Sequence, residues 1–244
     1  MKPIYLKTKV LENNKICDGI YKLTIKDNRD IKSGQFYMIK PKNAFLGRPI
    51  SVCEVKDGCV NFLYAVVGKG TEDFMNLKPQ DEIEVMGPLG NGFEEKKYGK
   101  IALVAGGIGI APMVQLAKKL KEAGNELIDL YVGFRDESYL IEEFLEYVDN
   151  VNITSNTGKV GIKGFITEIL EPSKYDTVLC CGPEVMMEKV VEMCKKAKVN
   201  IYVSMEKHMA CGVGACLVCT CKSKSGNKRT CKDGPVFNGY EIEF

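Results

Sequence analysis

Four cysteines near the C-terminal end of the chain have the spacing of a redox centre. Cys211, Cys216 and Cys219 follow the pattern C-x4-C-x2-C, and Cys231 follows after a lysine-rich segment. This spacing is typical of the ligands of a plant-type [2Fe–2S] cluster. Such a cluster accepts and releases one electron at a time, so the pattern predicts a protein that transfers electrons.

Other residues near these cysteines support this interpretation and leave one alternative. Gly212 and Gly214 separate the first two cysteines, where the backbone must approach the cluster and direct N–H groups at its sulfurs. Cys221 competes with Cys219 as a ligand, and we interpret it as a bystander because C-x2-C fits the pattern. The alternative is zinc, which favours paired C-x2-C motifs, often with histidine. Here one such pair occurs with a single histidine, His208.

Composition limits the classes of function. The chain has 244 residues, 45% of them hydrophobic, and a net charge of +2, so nothing indicates binding to nucleic acid or to an acidic membrane surface. The N-terminal residues contain no apolar signal core, so we expect a cytoplasmic protein. Five further cysteines are interpreted as buried or half-buried thiols in a reducing cytosol. They are Cys17, Cys53, Cys59, Cys180 and Cys194.

The first part of the sequence predicts a small antiparallel β-barrel. Short β-rich segments are separated by glycine-containing turns. The clearest predicted strands are 20–26, 36–40, 50–55 and 60–67. A short helical pattern follows at 72–76. The segment 87–93 (GPLGNGF) is predicted to leave the barrel rather than to form the interior of an element. We place this domain at residues 1–98.

From residue 100 the pattern changes to an alternation of strands and helices. Predicted strands and helices alternate, which indicates a parallel sheet with helices on both faces. In chain order, beginning with a strand and then alternating helix and strand, they are 101–105, 111–123, 127–133, 139–148, 151–154, 165–170, 177–181, 185–197 and 201–205. The predicted fold is therefore α+β multidomain: an N-terminal antiparallel β-barrel, an α/β nucleotide-binding domain at 99–205 and a small [2Fe–2S] module at 206–244.

Two glycine-containing turns follow predicted strands of the second domain. Ligands of open α/β sheets bind outside the carboxyl ends of the strands, where glycines let backbone N–H groups approach a pyrophosphate. The first turn contains Gly106, Gly107, Gly109 and Pro112, and the second is Cys181-Gly182-Pro183. The alternative is a pair of tight strand–helix turns that bind no ligand.

The predicted barrel contains two candidates for phosphate binding. Arg48 and Ser51 stand at the start of a strand, and a guanidinium suits a phosphate because its planar fork donates hydrogen bonds in pairs. Gly70 and Thr71 precede the short helical pattern, where backbone N–H groups and the Thr71 hydroxyl are placed to bind a second oxygen. The alternative for Arg48 is a surface ion pair.

Together these motifs resemble the ferredoxin–NADP reductase superfamily and, within it, the electron-transfer subunits of class 1B dihydroorotate dehydrogenases. The resemblance covers the whole chain. Its most specific parts are 87–93 (GPLGNGF), 209–216 (MACGVGAC) and 231–237 (CKDGPVF).

The resemblance implies cofactors, partner and site residues. The cofactors are FAD, one [2Fe–2S] cluster ligated by the four cysteines, and NAD, whose nicotinamide Cys181 borders. The partner is an FMN-containing catalytic subunit, in a heterotetramer of two copies of each chain. Electrons then pass from FMN through the cluster and FAD to NAD+ during de novo pyrimidine (UMP) biosynthesis. The implied FAD contacts are Arg48, Pro49, Ile50, Ser51, Leu63, Tyr64, Ala65, Gly70 and Thr71.

Alternatives remain open at this stage. Related redox subunits of a ferredoxin–NADP reductase, a sulfide dehydrogenase or a hydrogenase complex contain the same three modules. A module that only senses redox state is a further possibility. The choice between NAD and NADP is also open, because residues 134–137 offer both a basic and an acidic side chain.

Overall fold

The structure is a computed structural model that describes residues 4–244. Six antiparallel strands form a closed barrel in the order β1-β2-β5-β4-β3-β6, and β6 pairs back with β1. Their bounds are β1 Ile4–Cys17, β2 Ile20–Lys26, β3 Phe36–Ile39, β4 Arg48–Lys56, β5 Cys59–Ala65 and β6 Glu82–Leu89. A short helix, α1 (Lys69–Met75), lies between β5 and β6. The predicted barrel is confirmed.

The barrel forms because alternate side chains along its strands are large and apolar. Leu23, Ile25, Phe62 and Val85 are fully buried in one cluster. The two-residue turn Asp57-Gly58 has positive φ at both positions, which matches the right-handed twist of the hairpin that joins β4 to β5.

The prediction that residues 87–93 lie outside any element is wrong for its first three residues. Gly87, Pro88 and Leu89 continue β6, where Gly87 pairs with Ile4 and Leu89 pairs with Phe36. A Cβ at Gly87 would lie 2.5 Å from the Tyr37 ring. Glycine is required here because the strand crosses a buried aromatic ring, and not because the chain turns.

The second domain contains a parallel sheet in the order β10-β9-β8-β7-β11-β12. Its strands are β7 Lys100–Gly106, β8 Leu127–Phe134, β9 Asn150–Ser155, β10 Ile162–Lys163, β11 Thr177–Cys181 and β12 Asn200–Ser204. Helices α2 (Ala111–Glu122) and α3 (Glu184–Ala197) pack on opposite faces, each with its own apolar core. The predicted parallel sheet, with a helix on each face, is confirmed.

Two predicted helices are shorter than the sequence pattern indicated. Segment 139–148 contains only a 3-10 turn at Glu142–Phe144, and segment 165–170 contains only one at Ile166–Glu168. Leu140 has φ +60, which interrupts helical geometry at the start of the first segment. Burial of Phe144 and of Ile166 against the sheet supplies the contacts that longer helices would otherwise make.

The C-terminal segment is joined to the second domain by backbone pairing. It contains β13 Thr220–Ser223, β14 Lys228–Arg229, β15 Val236–Asn238 and β16 Ile242–Glu243. Strand β15 pairs antiparallel with β12 and becomes the seventh strand of the large sheet, while β13 pairs with β14 and β16. The Tyr240 hydroxyl donates to the Val199 carbonyl at 2.5 Å. The chain end therefore packs on the nucleotide domain.

None of the helices in residues 4–244 is long and apolar enough to cross a membrane.

A substitution at Gly109 measures how closely the turns that follow β7 and β11 must pack. A Cβ there would overlap the Cys181 carbonyl oxygen, so Gly109→Ala should lower the free energy of unfolding by about 1–3 kcal/mol. Gly133→Ala is the control because its Cβ would lie 3.4 Å from the nearest atom, and it should cost less than about 1 kcal/mol. Urea unfolding of both variants measures the difference, and equal losses would contradict the packing argument.

Candidate redox site

A cavity of about 1100 Å³ lies where the barrel, the nucleotide domain and the cysteine segment meet. Its barrel wall contains most residues of the predicted FAD set, which come from the start of β4, the end of β5 and the first turn of α1. They are Arg48, Pro49, Ile50, Ser51, Leu63, Tyr64, Ala65 and Thr71. Residues separated by more than 20 positions in the sequence therefore share one concave surface, of a kind that suits a large planar ligand.

The position of Arg48 fits a phosphate ligand. Its guanidinium lies directly over Gly70, where a Cβ would overlap it, and it donates to the Leu46 carbonyl at 2.7 Å. In the described part of the chain, no carboxylate lies within ion-pair distance of Arg48. A guanidinium held by a carbonyl and a glycine turn keeps donors for an anion, which argues against the surface ion pair.

The Thr71 hydroxyl is hydrogen-bonded to the backbone of its own turn. It accepts hydrogen bonds from the backbone N–H groups of Val67 at 2.9 Å and Gly68 at 3.2 Å, and it lies 3.0 Å from the Gly68 carbonyl. The side chain is therefore engaged within its own turn. Its contribution to the site is to fix the shape of the turn below Arg48.

On the opposite side, the two glycine turns pack against each other. A Cβ at Gly106 would lie 2.7 Å from Pro183, and one at Gly182 would lie 2.8 Å from the Gly106 nitrogen. Gly107, with φ +52, faces open space, and Pro112 reaches the cavity wall. Most of these glycines thus permit turn-to-turn contact, while Gly107 leaves the backbone accessible.

Cys181 lies at the end of β11 and is 1% exposed. Burial above all, and Glu206 nearby, raise the pKa of its thiol far above the usual value, so the thiol is neutral. The Ser204 hydroxyl is a further neighbour of this thiol, and Ser204 and Glu206 both line the cavity.

Ser204 and Glu206 are cavity residues that were not predicted from the sequence. The signal was available, since β12 is parallel and both residues stand at its carboxyl end, where ligands of such sheets bind. The concave surroundings of Glu206 raise the pKa of its carboxyl by desolvation. Lys207 beside it pairs with Glu184 at 2.6 Å.

The four predicted cluster ligands form two neighbouring pairs. The Cys211 thiol lies beside Cys216 and accepts from the backbone N–H groups of Ala215 at 3.3 Å and Cys216 at 3.4 Å. The Cys219 thiol lies beside Cys231 and accepts from the Cys231 N–H at 3.4 Å. A [2Fe–2S] cluster takes two thiolates at each iron, so two pairs fit its donor set.

Backbone donors favour a thiolate at the first of these cysteines. Burial of Cys211 opposes ionisation, but hydrogen bonds led by the backbone N–H of Cys216 and Val213 outweigh it and lower the pKa of Cys211 to about 6. At Cys231, burial above all and the Cys219 thiol raise the pKa to about 12. The surroundings of Cys211 therefore already favour a thiolate before any metal binds.

No three His, Cys, Asp or Glu side chains in residues 4–244 surround one point at metal-binding distance. His208 lines the cavity rather than joining the cysteines.

Cys221 is set apart from the four cysteines. Cys219 and Cys231 pack with Phe36, Met38 and Leu89 of the barrel, whereas the buried Cys221 packs in the core of the nucleotide domain and lies beside the Thr230 hydroxyl. Its surroundings support the interpretation of Cys221 as a bystander.

Phe36 connects the cavity to the cysteine segment. Its ring is 3% exposed, lines the cavity, and packs in the cluster that contains Cys219 and Cys231. Met209 likewise lines the cavity and packs against the same cluster. In the barrel, Phe36 pairs with Ser51 of β4 and with Leu89 of β6. Phe36 and Met209 thus belong both to the wall of the candidate flavin cavity and to the packing around the inner pair of cysteines.

Comparison with known families matches two parts of the chain. Residues 206–243 match the model of the iron–sulfur cluster binding domain of dihydroorotate dehydrogenase B. Residues 103–192 match the oxidoreductase NAD-binding domain.

Curated relatives match along almost the whole length. The electron transfer subunit of dihydroorotate dehydrogenase B (NAD(+)) from Clostridium perfringens is 64% identical, with 98% of each chain covered. The chain belongs to this family. The subunit of the same name from Clostridium acetobutylicum is 51% identical over 99% of this chain and 98% of its own.

Solved structures agree with the fold. One similar structure is that of an NADH-dependent reduced ferredoxin-NADP oxidoreductase, described in connection with flavin-based electron bifurcation. It has a TM-score of 0.88 and 32% sequence identity, and the match covers 97% of this chain and 89% of that one. A cytochrome P450 reductase from Amycolatopsis shares the fold at 22% identity, with a TM-score of 0.72 and coverage of 82% and 69%.

The ligand assignment predicts different results for two cysteine variants. Cys216→Ser should abolish the cluster because it removes one of four thiolates, whereas Cys221→Ser should retain it. Iron and acid-labile sulfide should each approach about two per chain in the wild type and in the Cys221 variant. Loss of iron from Cys221→Ser would require a different ligand set.

The Arg48 assignment predicts selective loss of flavin. Arg48→Ala should weaken FAD binding more than tenfold, because a charge-assisted hydrogen bond contributes on the order of 1.5–3 kcal/mol. Arg135→Ala, at an exposed arginine of the nucleotide domain, is the control. FAD is titrated at limiting concentration while iron is measured in parallel. Wild-type FAD affinity in Arg48→Ala would rule out this role.

Proposed function

We propose that this chain carries FAD and one [2Fe–2S] cluster and transfers electrons between an FMN-containing dihydroorotate dehydrogenase subunit and NAD+. This reaction belongs to de novo UMP synthesis, and we propose a cytoplasmic location and a heterotetramer of two copies of each chain. The observation that carries the proposal is the position of Phe36, which lines the large cavity and packs in the same apolar cluster as the inner cysteine pair.

The cofactors supply the redox chemistry: a flavin exchanges hydride with a nicotinamide and single electrons with an iron–sulfur cluster. The protein supplies position and environment. Arg48 and the Gly70 turn are proposed to hold the FAD pyrophosphate, and the apolar wall around Leu63 and Pro49 excludes water from the flavin ring. Cys181, neutral and buried, is proposed to border the nicotinamide without exchanging a proton.

The remaining predicted residues contribute to the nicotinamide side of the cavity. Gly107 is proposed to give the dinucleotide access to the backbone, and Pro112 to form part of the wall. Gly106, Gly109, Gly182 and Pro183 are proposed to hold the two turns together. The domain limits 1–98, 99–205 and 206–244 are retained as proposals, with β15 extending the sheet of the second domain.

The proposed partner surface lies at the outer end of the cysteine segment. Cys216 is exposed, whereas Cys219 and Cys231 are buried. Two exposed apolar residues stand close to Cys216 in the sequence, Val213 at 41% and Leu217 at 62% exposure, whereas Val218, at 54%, lines the cavity. An apolar rim around an otherwise exposed metal centre suits a protein partner that covers the centre and excludes water.

A second candidate function is supported by one observation. The solved relative at 32% identity is titled as a ferredoxin-NADP oxidoreductase and also covers nearly the whole chain. The identity of the partner subunit that binds this chain therefore distinguishes the two functions. We favour the dihydroorotate function because the relative that carries that name is 64% identical.

Reconstitution tests the proposal. The isolated chain should oxidise NADH with dyes and should not oxidise dihydroorotate. Addition of an FMN-containing dihydroorotate dehydrogenase subunit should produce NAD+-dependent oxidation of dihydroorotate. Binding of a ferredoxin-linked or hydrogenase subunit instead would establish the second candidate.

A variant pair tests the proposed surface in the same assay. Leu217→Asp should weaken association with the catalytic subunit by roughly tenfold or more, because a charge would be buried in an apolar contact. Leu145→Asp is the matched control, since Leu145 is similarly exposed, at 60%, but belongs to the nucleotide domain. The rate at which the isolated chain reduces dyes with NADH should be unchanged in both variants. Equal effects on association would contradict this surface.

A further inference from the structure

An ion pair lies at the base of the segment that contains the fourth cysteine. The Arg229 guanidinium donates to both oxygens of the Asp233 carboxylate, from Nε at 2.9 Å to Oδ2 and from Nη2 at 2.9 Å to Oδ1. The Arg229 backbone N–H donates to the same carboxylate at 2.8 Å. This fork geometry is the strong form of a charge-assisted pair.

The pair closes a loop around Cys231. The Arg229 carbonyl accepts from the N–H groups of Lys232 at 3.0 Å and Asp233 at 2.7 Å. Cys231 therefore stands on a turn whose two ends are held together by both backbone and side-chain bonds. The turn's own N–H groups also reach Cys219, since Thr230 donates to the Cys219 carbonyl at 3.0 Å and Cys231 to its sulfur at 3.4 Å.

The same guanidinium reaches the loop of the first cysteines. Arg229 Nη1 lies 3.3 Å from the Gly214 carbonyl oxygen. Gly214 has φ +81, and a Cβ there would lie 2.7 Å from the Lys232 Cβ, so the Lys232 side chain packs directly on the Gly214 backbone. Arg229 is thus bonded to the segment of Cys211 and Cys216 as well as to that of Cys231.

This position places the Arg229 guanidinium close to Cys219 and Cys231, with the opposite charge of Asp233 bound to it. A cluster becomes more negative on reduction, so a nearby cation raises its reduction potential and a nearby anion lowers it. Arg229 and Asp233 are bound to each other, so their effects at the cluster oppose and partly cancel. Loss of either partner alone would leave the other uncompensated.

We propose that Arg229 and Asp233 are positioning residues whose hydrogen bonds hold the turn of Cys231 against the loop of Cys211 and Cys216. Their opposite charges shift the reduction potential of the cluster in opposite directions, so the potential depends on the presence of both. The inference rests on the proposed [2Fe–2S] site. It assigns two separable effects to one pair: retention of the cluster depends on the fork of hydrogen bonds, and the potential depends on the net charge.

Four variants separate these effects. Arg229→Gln should shift the cluster potential to a more negative value, and Asp233→Asn should shift it to a more positive value. The double variant should return close to the wild-type potential. Arg229→Lys retains the charge but not the fork, so it should keep the potential while releasing iron to a chelator roughly tenfold faster.

The measurements are an EPR-monitored redox titration of the holo-chain and the rate of iron release to a chelator. Lys174→Gln and Glu171→Gln are the controls, since they remove the same charges from a surface pair with a 2.9 Å separation on the nucleotide domain. Shifts of the same sign in the two single variants, or shifts no larger than those of the controls, would overturn the proposal.

Two outcomes distinguish a failure of this inference from a failure of the proposed function. If Arg229→Gln takes up no cluster, Arg229→Lys and Asp233→Asn decide, and an unchanged potential in Asp233→Asn refutes the electrostatic role. If the wild-type chain itself takes up no iron, the proposed cluster fails, and this inference fails with it for that separate reason.

Discussion

Close approach of glycine backbone to neighbouring segments, with no room for a Cβ, is the constraint on which this structure depends. Gly109 lies against the Cys181 carbonyl, and Gly212 lies against Met38 of the barrel, where a Cβ would stand 2.8 Å from the Met38 Cγ. Electron transfer between bound cofactors requires short separations, so the three parts of the chain must be in direct contact. Glycine at these contacts makes such packing possible.

The register of the barrel connects the sites across these contacts. Phe36 of β3 pairs with Ser51, which lies in the cavity wall, and with Leu89, which packs with Cys219 and Cys231. Strand alternation leaves the ring of Phe36 at the boundary of both environments. A one-residue shift of β3 would turn this side chain to the other face of the sheet, and the contact between cavity and cysteines would be lost.

Local patterns in the sequence predicted much of this arrangement, because turns, strand alternation and cysteine spacing are local properties. The barrel, the parallel sheet and the cysteine segment follow from such patterns. Contacts between distant residues could not be predicted in this way. The Thr71 hydroxyl is engaged by its own turn, Gly87 crosses the Tyr37 ring, and Glu206 meets Cys181 only because β12 lies beside β11.

The cysteine segment has two unlike ends, and this asymmetry suits a carrier placed between two partners. Cys219 and Cys231 are buried in an apolar cluster with Phe36 of the barrel, whereas Cys211 is half-buried and Cys216 is exposed, close in sequence to exposed apolar side chains. A centre buried at both ends would exchange electrons slowly with another subunit, and one exposed at both ends would be open to solvent and oxidants. The fold avoids both conditions because β15 pairs with the nucleotide domain and returns the chain end to that domain, which leaves the outer pair uncovered.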